Sequence, residues 1–244
     1  MNIYSKIKNS SDSSKKLFTV LIDPDKIDKS QLIKILEKGN EYKIDYFFIG
    51  SSILINNIGE QHIDVIKQNT NIPVILFPGH PIYVYDNADG LLFLSLISGR
   101  NPEMLIGNHV IAAPILKNKK FEIIPTGYML IDGGAPTSVT YMSNTLPIPY
   151  NKTDIAVCTA IAGEMLGLKL IYMDSGSGSP KPISCEMVKA VKKNTNIPLI
   201  IGGGIKTPEQ AKNICDVGAD MIVVGNAIEK DITLIKEISD AIHL

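Results

Sequence analysis

The sequence predicts an α/β protein, a modified (β/α)8 TIM barrel lacking a regular third helix. Three observations predict it. Eight short apolar, β-rich runs recur along the 244 residues, with helical patterns between them. The runs are nearly continuous in apolar residues rather than alternating, as expected of parallel strands covered on both faces. Between the third and fourth runs lies only PGHPIYVYDNAD, too short for a standard helix plus two loops.

The strands are read at Phe18–Ile22, Tyr46–Ile49, Pro73–Phe77, Gly90–Leu94, Ile123–Leu130, Leu168–Tyr172, Ile197–Ile201 and Asp220–Val224. After the first, Asp28 caps a helix through Leu32, Ile33 and Leu36, and Gly39 is placed to end it. After the third, an extended loop replaces the helix and opens a side of the barrel, useful if a long ligand must lie along it. Asn151–Leu166 forms a long helix with Ile155, Thr159, Ala162 and Leu166 along one side. Thr207-Pro208-Glu209-Gln210 offers an N-cap, proline at the first helical position and glutamine for a capping box. Asn226-Ala-Ile-Glu supplies a short helix after the last strand. A single barrel domain spans 1–244, an ordinary length for this architecture.

Composition narrows the function. Apolar residues make up 45% of the chain, and the net charge of −1 gives no basic field to attract nucleic acid. There is no signal-peptide pattern and no stretch of ~18 uninterrupted apolar residues, so no membrane anchor is expected. Cys158, Cys185 and Cys215 lie on predicted helices without metal-ligand spacing. They read as buried free thiols in a reduced, cytoplasmic compartment.

In such a barrel the functional loops follow the carboxyl ends of the strands. IIGGGI (200–205) and VVGNAI (223–228) stand after strands seven and eight, where glycines let backbone N–H groups approach a phosphate. Tight strand-to-helix turns are the competing explanation. LIDPDK (21–26) places Asp23 and Asp25 after the first strand. Aspartate suits Mg²⁺ completed by substrate phosphate and water, or it caps backbone N–H groups and starts a turn. FIGSS (48–52) brings Ser52, either a further metal oxygen or a helix cap, to the end of strand two. YMDSGSGSP (172–180) combines a tyrosine, a carboxylate and two glycines after strand six. Arg100, the only arginine, either clamps a diphosphate or makes a surface ion pair. The four histidines are too scattered for a ligand set.

The ordered set LIDPDK, FIGSS, FPGHP, GYMLIDGGAPTSV, YMDSGSGSP, IIGGGI and VVGNAI resembles the geranylgeranylglyceryl phosphate synthase family. The match is closer to its second, longer branch, related to heptaprenylglyceryl phosphate synthase, and runs from about residue 17 to the end. The resemblance implies a barrel without its third helix and a Mg²⁺-dependent prenyltransferase. It would join the geranylgeranyl group of a long-chain prenyl diphosphate to the 3-hydroxyl of sn-glycerol 1-phosphate, in ether-lipid biosynthesis. It puts the metal on Asp23 with Ser52 beside it. Glycerol phosphate falls on Tyr172, Met173, Asp174, Ser175, Gly176, Ser177 and Gly178, on Gly203 and Gly204, and on Gly225 and Asn226. Asp174 takes the place of the family's glutamate base, one methylene shorter, and Tyr172 holds the phosphate or glycerol. The prenyl tail would lie in an apolar groove near Tyr83, Tyr85, Leu94 and Leu96, and a homo-oligomer is implied. Two other readings of the residues are a phosphate-binding isomerase or lyase and a catalytically silent phospho-ligand-binding barrel.

Overall fold

Eight parallel strands close into a barrel in chain order, the last pairing with the first through Leu17↔Met221 to Val20↔Val224. The computed structural model describes residues 2–53, 55–56, 59–80 and 83–243. In chain order the elements are α1 Ile3–Asp12, β1 Leu17–Ile22, α2 Lys29–Glu41, β2 Tyr46–Ile49, α3 Gly59–Asn69, β3 Val74–Leu76 and β4 Gly90–Leu96. A π-helical turn, Glu103–Gly107, leads into α4 Asn108–Leu116, followed by β5 Glu122–Leu130, α5 Ser138–Ser143, α6 Thr153–Met165 and β6 Leu170–Asp174. The chain ends with α7 Cys185–Asn194, β7 Leu199–Gly202, α8 Pro208–Asp216, β8 Met221–Val224, α9 Asn226–Lys230 and α10 Leu234–His243. Among the described residues between β3 and β4 none is helical, so the expected gap in the outer ring is there. No helix among the described residues is long and apolar enough to cross a membrane.

Two apolar layers hold the barrel, because alternate side chains of each strand point to opposite faces. Tyr46, Phe48, Ile75, Leu92, Tyr128, Tyr172 and their neighbours fill the interior. Ile3 and Ile7 of α1 join this inner layer, so an N-terminal helix that sequence reading passed over plugs the barrel. The outer layer packs strands against helices. Burying one such large side chain contributes about 1.5–3 kcal/mol.

Several expectations change. Helix α2 is capped by Asp28 with Gln31 completing a capping box, yet it continues past Gly39 to Glu41. Gly39 is a close-approach residue, since a Cβ there would lie 3.0 Å from Ile44 Cδ1 and 3.1 Å from Phe47 Cζ. Thr207 caps α8 as expected, but Gln210 accepts from the Lys206 N–H instead of the cap residue. Helix α6 buries Ala156, Ala160 and Gly163, while Ile155 and Leu166 face outward. Small residues are required on the packed side, where a Cβ at Gly163 would already be 2.8 Å from Ile97 Cδ1. All three cysteines lie on helices, but only Cys215 is buried, its thiol pushed up to about 12 by burial; Cys158 is exposed.

Candidate active site

At the carboxyl ends of the strands an apolar groove and a polar cup adjoin, sharing Ser51, Ser52, Phe77, Tyr128 and Val139 in their walls. The groove runs where the third helix is missing, over Leu91, Phe93, Leu94, Leu96, Ala112 and Leu116. Leu94 and Leu96 therefore line it as expected. Tyr83 and Tyr85 do not; Tyr85 instead packs over Gly59 in the outer layer.

The cup is built around Asp174. Strand β6 runs two residues further than predicted, so Met173 and Asp174 join Tyr172 as strand residues rather than loop. Alternation then sorts them. Tyr172 is fully buried inside the barrel, stacked on Phe77 with ring centroids 5.1 Å apart. Met173 points the other way into the helical shell, which takes its side chain out of the cup. Asp174 is 7% exposed; its Oδ2 accepts from the Tyr128 hydroxyl at 2.6 Å and its Oδ1 from the Gly176 N–H at 2.7 Å. Burial lifts its pKa above the usual 3.8 even though both hydrogen bonds favour the carboxylate. A buried carboxylate with a raised pKa, facing a cavity, is equipped to accept a proton.

The loops around it form a backbone cradle. Gly203 and Gly204 have φ of +77° and +68°, in the left-handed region. A Cβ at Gly203 would lie 2.5 Å from Asp174 Oδ1, and one at Gly204 would lie 2.4 Å from the Lys181 carbonyl oxygen. Ser177, Gly178, Gly225 and Asn226 complete the lining. The Ser177 hydroxyl donates to Asn226 Oδ1, and Asn226 Nδ2 donates to Glu229 Oε2 at 3.0 Å. Ser175 and Gly176 stand behind this wall, and the Ser175 hydroxyl is buried with no hydrogen-bond partner among the described residues. Glu229 is half-buried, which raises its pKa; Lys26 opposes that rise and Asp23 adds to it.

Across the cup, Asp23 is 6% exposed. Its Oδ1 accepts the Asp25 N–H at 3.2 Å, and its Oδ2 takes the Ser51 hydroxyl at 3.1 Å and the Lys26 ammonium at 2.6 Å. Ser51 is thus the hydroxyl bonded to Asp23, while Ser52 follows it in the same wall. Asp25 is occupied elsewhere. Its two oxygens accept the N–H groups of Ile55 and Asn56, pinning the loop after β2; burial raises its pKa, but these bonds bring it below the usual value. Among the described residues no three His, Cys, Asp or Glu side chains gather into a metal cage. One buried carboxylate beside a serine hydroxyl fits Mg²⁺, which commonly keeps waters and takes further oxygens from a substrate phosphate. Arg100 lines neither cavity; its Nη1 donates to the Gly99 carbonyl.

Sequence reading missed Tyr128, Phe77 and Ser51. Tyr128 was recoverable in part, because Tyr-Met recurs in β5 and β6 and the two tyrosines pair in register, Tyr128↔Tyr172.

A family model described as the PcrB family matches residues 11–242. Geranylgeranylglyceryl phosphate synthase of Chitinophaga pinensis is 54% identical over 93% of this chain and 90% of that protein. The protein of the same name from Spirosoma linguale is 47% identical over 95% of this chain and 93% of its own. The crystal structure of (S)-3-O-geranylgeranylglyceryl phosphate synthase from Thermoplasma acidophilum, in complex with sn-glycerol-1-phosphate, superimposes with a TM-score of 0.94 at 32% identity. That comparison covers 100% of this chain and 99% of the other.

Proposed function

The chain belongs to the PcrB family, and from that premise we propose that it joins the geranylgeranyl group of geranylgeranyl diphosphate to the 3-hydroxyl of sn-glycerol 1-phosphate. Diphosphate is released and an ether-lipid precursor results. The observation that carries this reading is the pair of adjoining cavities, one apolar, the other polar with a buried carboxylate and a glycine cradle. A prenyl chain suits the first and glycerol phosphate the second, so the reacting carbon and hydroxyl meet at their common wall.

Each residue then has a task. Backbone at Gly203, Gly204, Gly225 and Asn226, with Ser177, holds the phosphate. Tyr172 and Tyr128 wall the cup, and Tyr128 keeps Asp174 aimed. Asp174 takes the proton of the 3-hydroxyl as its oxygen bonds to the allylic carbon and the carbon–diphosphate bond breaks. Asp23 is the residue that would hold Mg²⁺, with the serine hydroxyls of Ser51 and Ser52 beside it. When bound, that ion neutralises charge developing on the departing diphosphate. The groove aligns the tail and excludes water from the allylic centre.

Incubation with radiolabelled glycerol 1-phosphate and geranylgeranyl diphosphate, with Mg²⁺ or with EDTA, tests the reading. Label is expected in the organic extract with Mg²⁺ alone. No transfer from this donor or from shorter and longer prenyl diphosphates overturns it.

The same family reading proposes a homo-oligomer. Val110, Ile111 and Ile115 of α4 are 50–65% exposed, and Met165 and Leu166 at the end of α6 are 83% and 78% exposed. Apolar surface on α4 and at the end of α6 suits a second copy of the chain. Sedimentation equilibrium of Ile111→Lys is expected to show a smaller species than the parent; an unchanged mass sinks this assignment.

A further inference from the structure

The lysine on Asp23 sits where a cation is wanted. Lys26 Nζ is 2.6 Å from Asp23 Oδ2, on a carboxylate that already accepts the Ser51 hydroxyl and the Asp25 N–H. Three of its roughly four acceptor positions are therefore in use. An ammonium and a divalent cation on one carboxylate are close enough to repel strongly. One of them must give way, and the structure indicates which. The Asp23 side chain is 9% exposed and belongs to a turn closed by Lys26 N–H to the Asp23 carbonyl and stiffened by Pro24. Asp25 ties the same turn to the next loop through Ile55 and Asn56. The Lys26 side chain is 46% exposed on a flexible stem, so it is the part that can move. It also lines the polar cup together with Glu229.

We propose that Lys26 and a divalent cation are mutually exclusive partners of Asp23, and that an arriving diphosphate draws Lys26 off the carboxylate and onto itself. The inference rests on Asp23 as the metal ligand proposed above and adds an order of events. Free metal is refused, while metal with diphosphate is accepted, because the anion supplies a new partner for the displaced ammonium. Lys26 thereby becomes a second positive charge on the leaving group.

Retention of Mn²⁺ on the protein during ultrafiltration, without activity, tests this. With Mn²⁺ alone, Lys26→Met is expected to bind at least about tenfold more tightly than the parent. Lys26→Arg keeps the charge and binds like the parent, and Asp23→Asn/Lys26→Met binds no metal. With inorganic diphosphate added, the parent gains Mn²⁺ and Asp23→Asn does not. Equal Mn²⁺ affinity for the parent and Lys26→Met overturns the exclusion, while the Asp23-dependent gain with diphosphate leaves the metal site standing. Retention indifferent to Asp23 in every condition removes the metal site and the exclusion together.

Discussion

Asp174→Asn is expected to cut turnover by about 10²- to 10⁴-fold while leaving the barrel folded and, at neutral pH, more stable than the parent. The two effects share one cause. The carboxyl group is buried inside the rim, and burial outweighs the Tyr128 and Gly176 hydrogen bonds, so its folded pKa lies above 3.8. A carboxyl that holds its proton more tightly when folded favours the fold fully at pH below the unfolded value. That contribution is lost as pH rises through the window up to the folded pKa. At pH 7 the ionised group is a burden that a neutral amide removes. The melting temperature of Asp174→Asn should therefore exceed the parent's at pH 7, and the gain should shrink as pH falls toward 3.8. The parent's rate should fall on the acid side with a single ionisation above that same value. Activity within tenfold of the parent, or a gain in stability independent of pH, contradicts this assignment.

Asp23→Asn is expected to remove about 10³-fold of the Mg²⁺-stimulated rate, the scale of several kcal/mol of charge stabilisation at a leaving group. The fold should survive. The amide oxygen can still accept from Ser51 or Asp25, and the lost ion pair involves a lysine that is nearly half exposed, where such pairs contribute about 0–1 kcal/mol. Rates with Mg²⁺ and with EDTA should converge in this variant, and its melting temperature should stay within a few degrees of the parent's. A rate within twofold of the parent would show that the metal does not act through this carboxylate.

The eight strands were legible because parallel strands buried on both faces must be apolar along their length. The missing helix was legible from chain length alone, since twelve residues cannot hold a helix and two loops. Gly203 and Gly204 stood out by residue type, as a phosphate cradle or a tight turn, while the role of Asp174 came from the family resemblance and its burial only from the structure. Ser51 was not legible and Tyr128 only in part, because the role of Tyr128 depends on register across the barrel: Leu130 pairs with Asp174, which brings the Tyr128 hydroxyl within reach of the carboxylate. The inward side of α6 was not legible, because periodicity finds a stripe along one side without saying which side packs. There the smaller residues Ala156, Ala160 and Gly163 face the barrel. Met173 was assigned to the cup as part of a loop; once β6 is seen to continue to Asp174, strand alternation turns it outward.

The gap beside β4 carries one more consequence. Phe93, Leu94 and Ser95 in the middle of that strand are only partly covered, whereas the strands opposite lie wholly beneath helices. In the proposed reaction the donor's hydrocarbon tail lies along this uncovered wall and does for the barrel what a helix does elsewhere. Substrate is then a temporary member of the architecture, and each release of product leaves the wall bare until the next tail arrives.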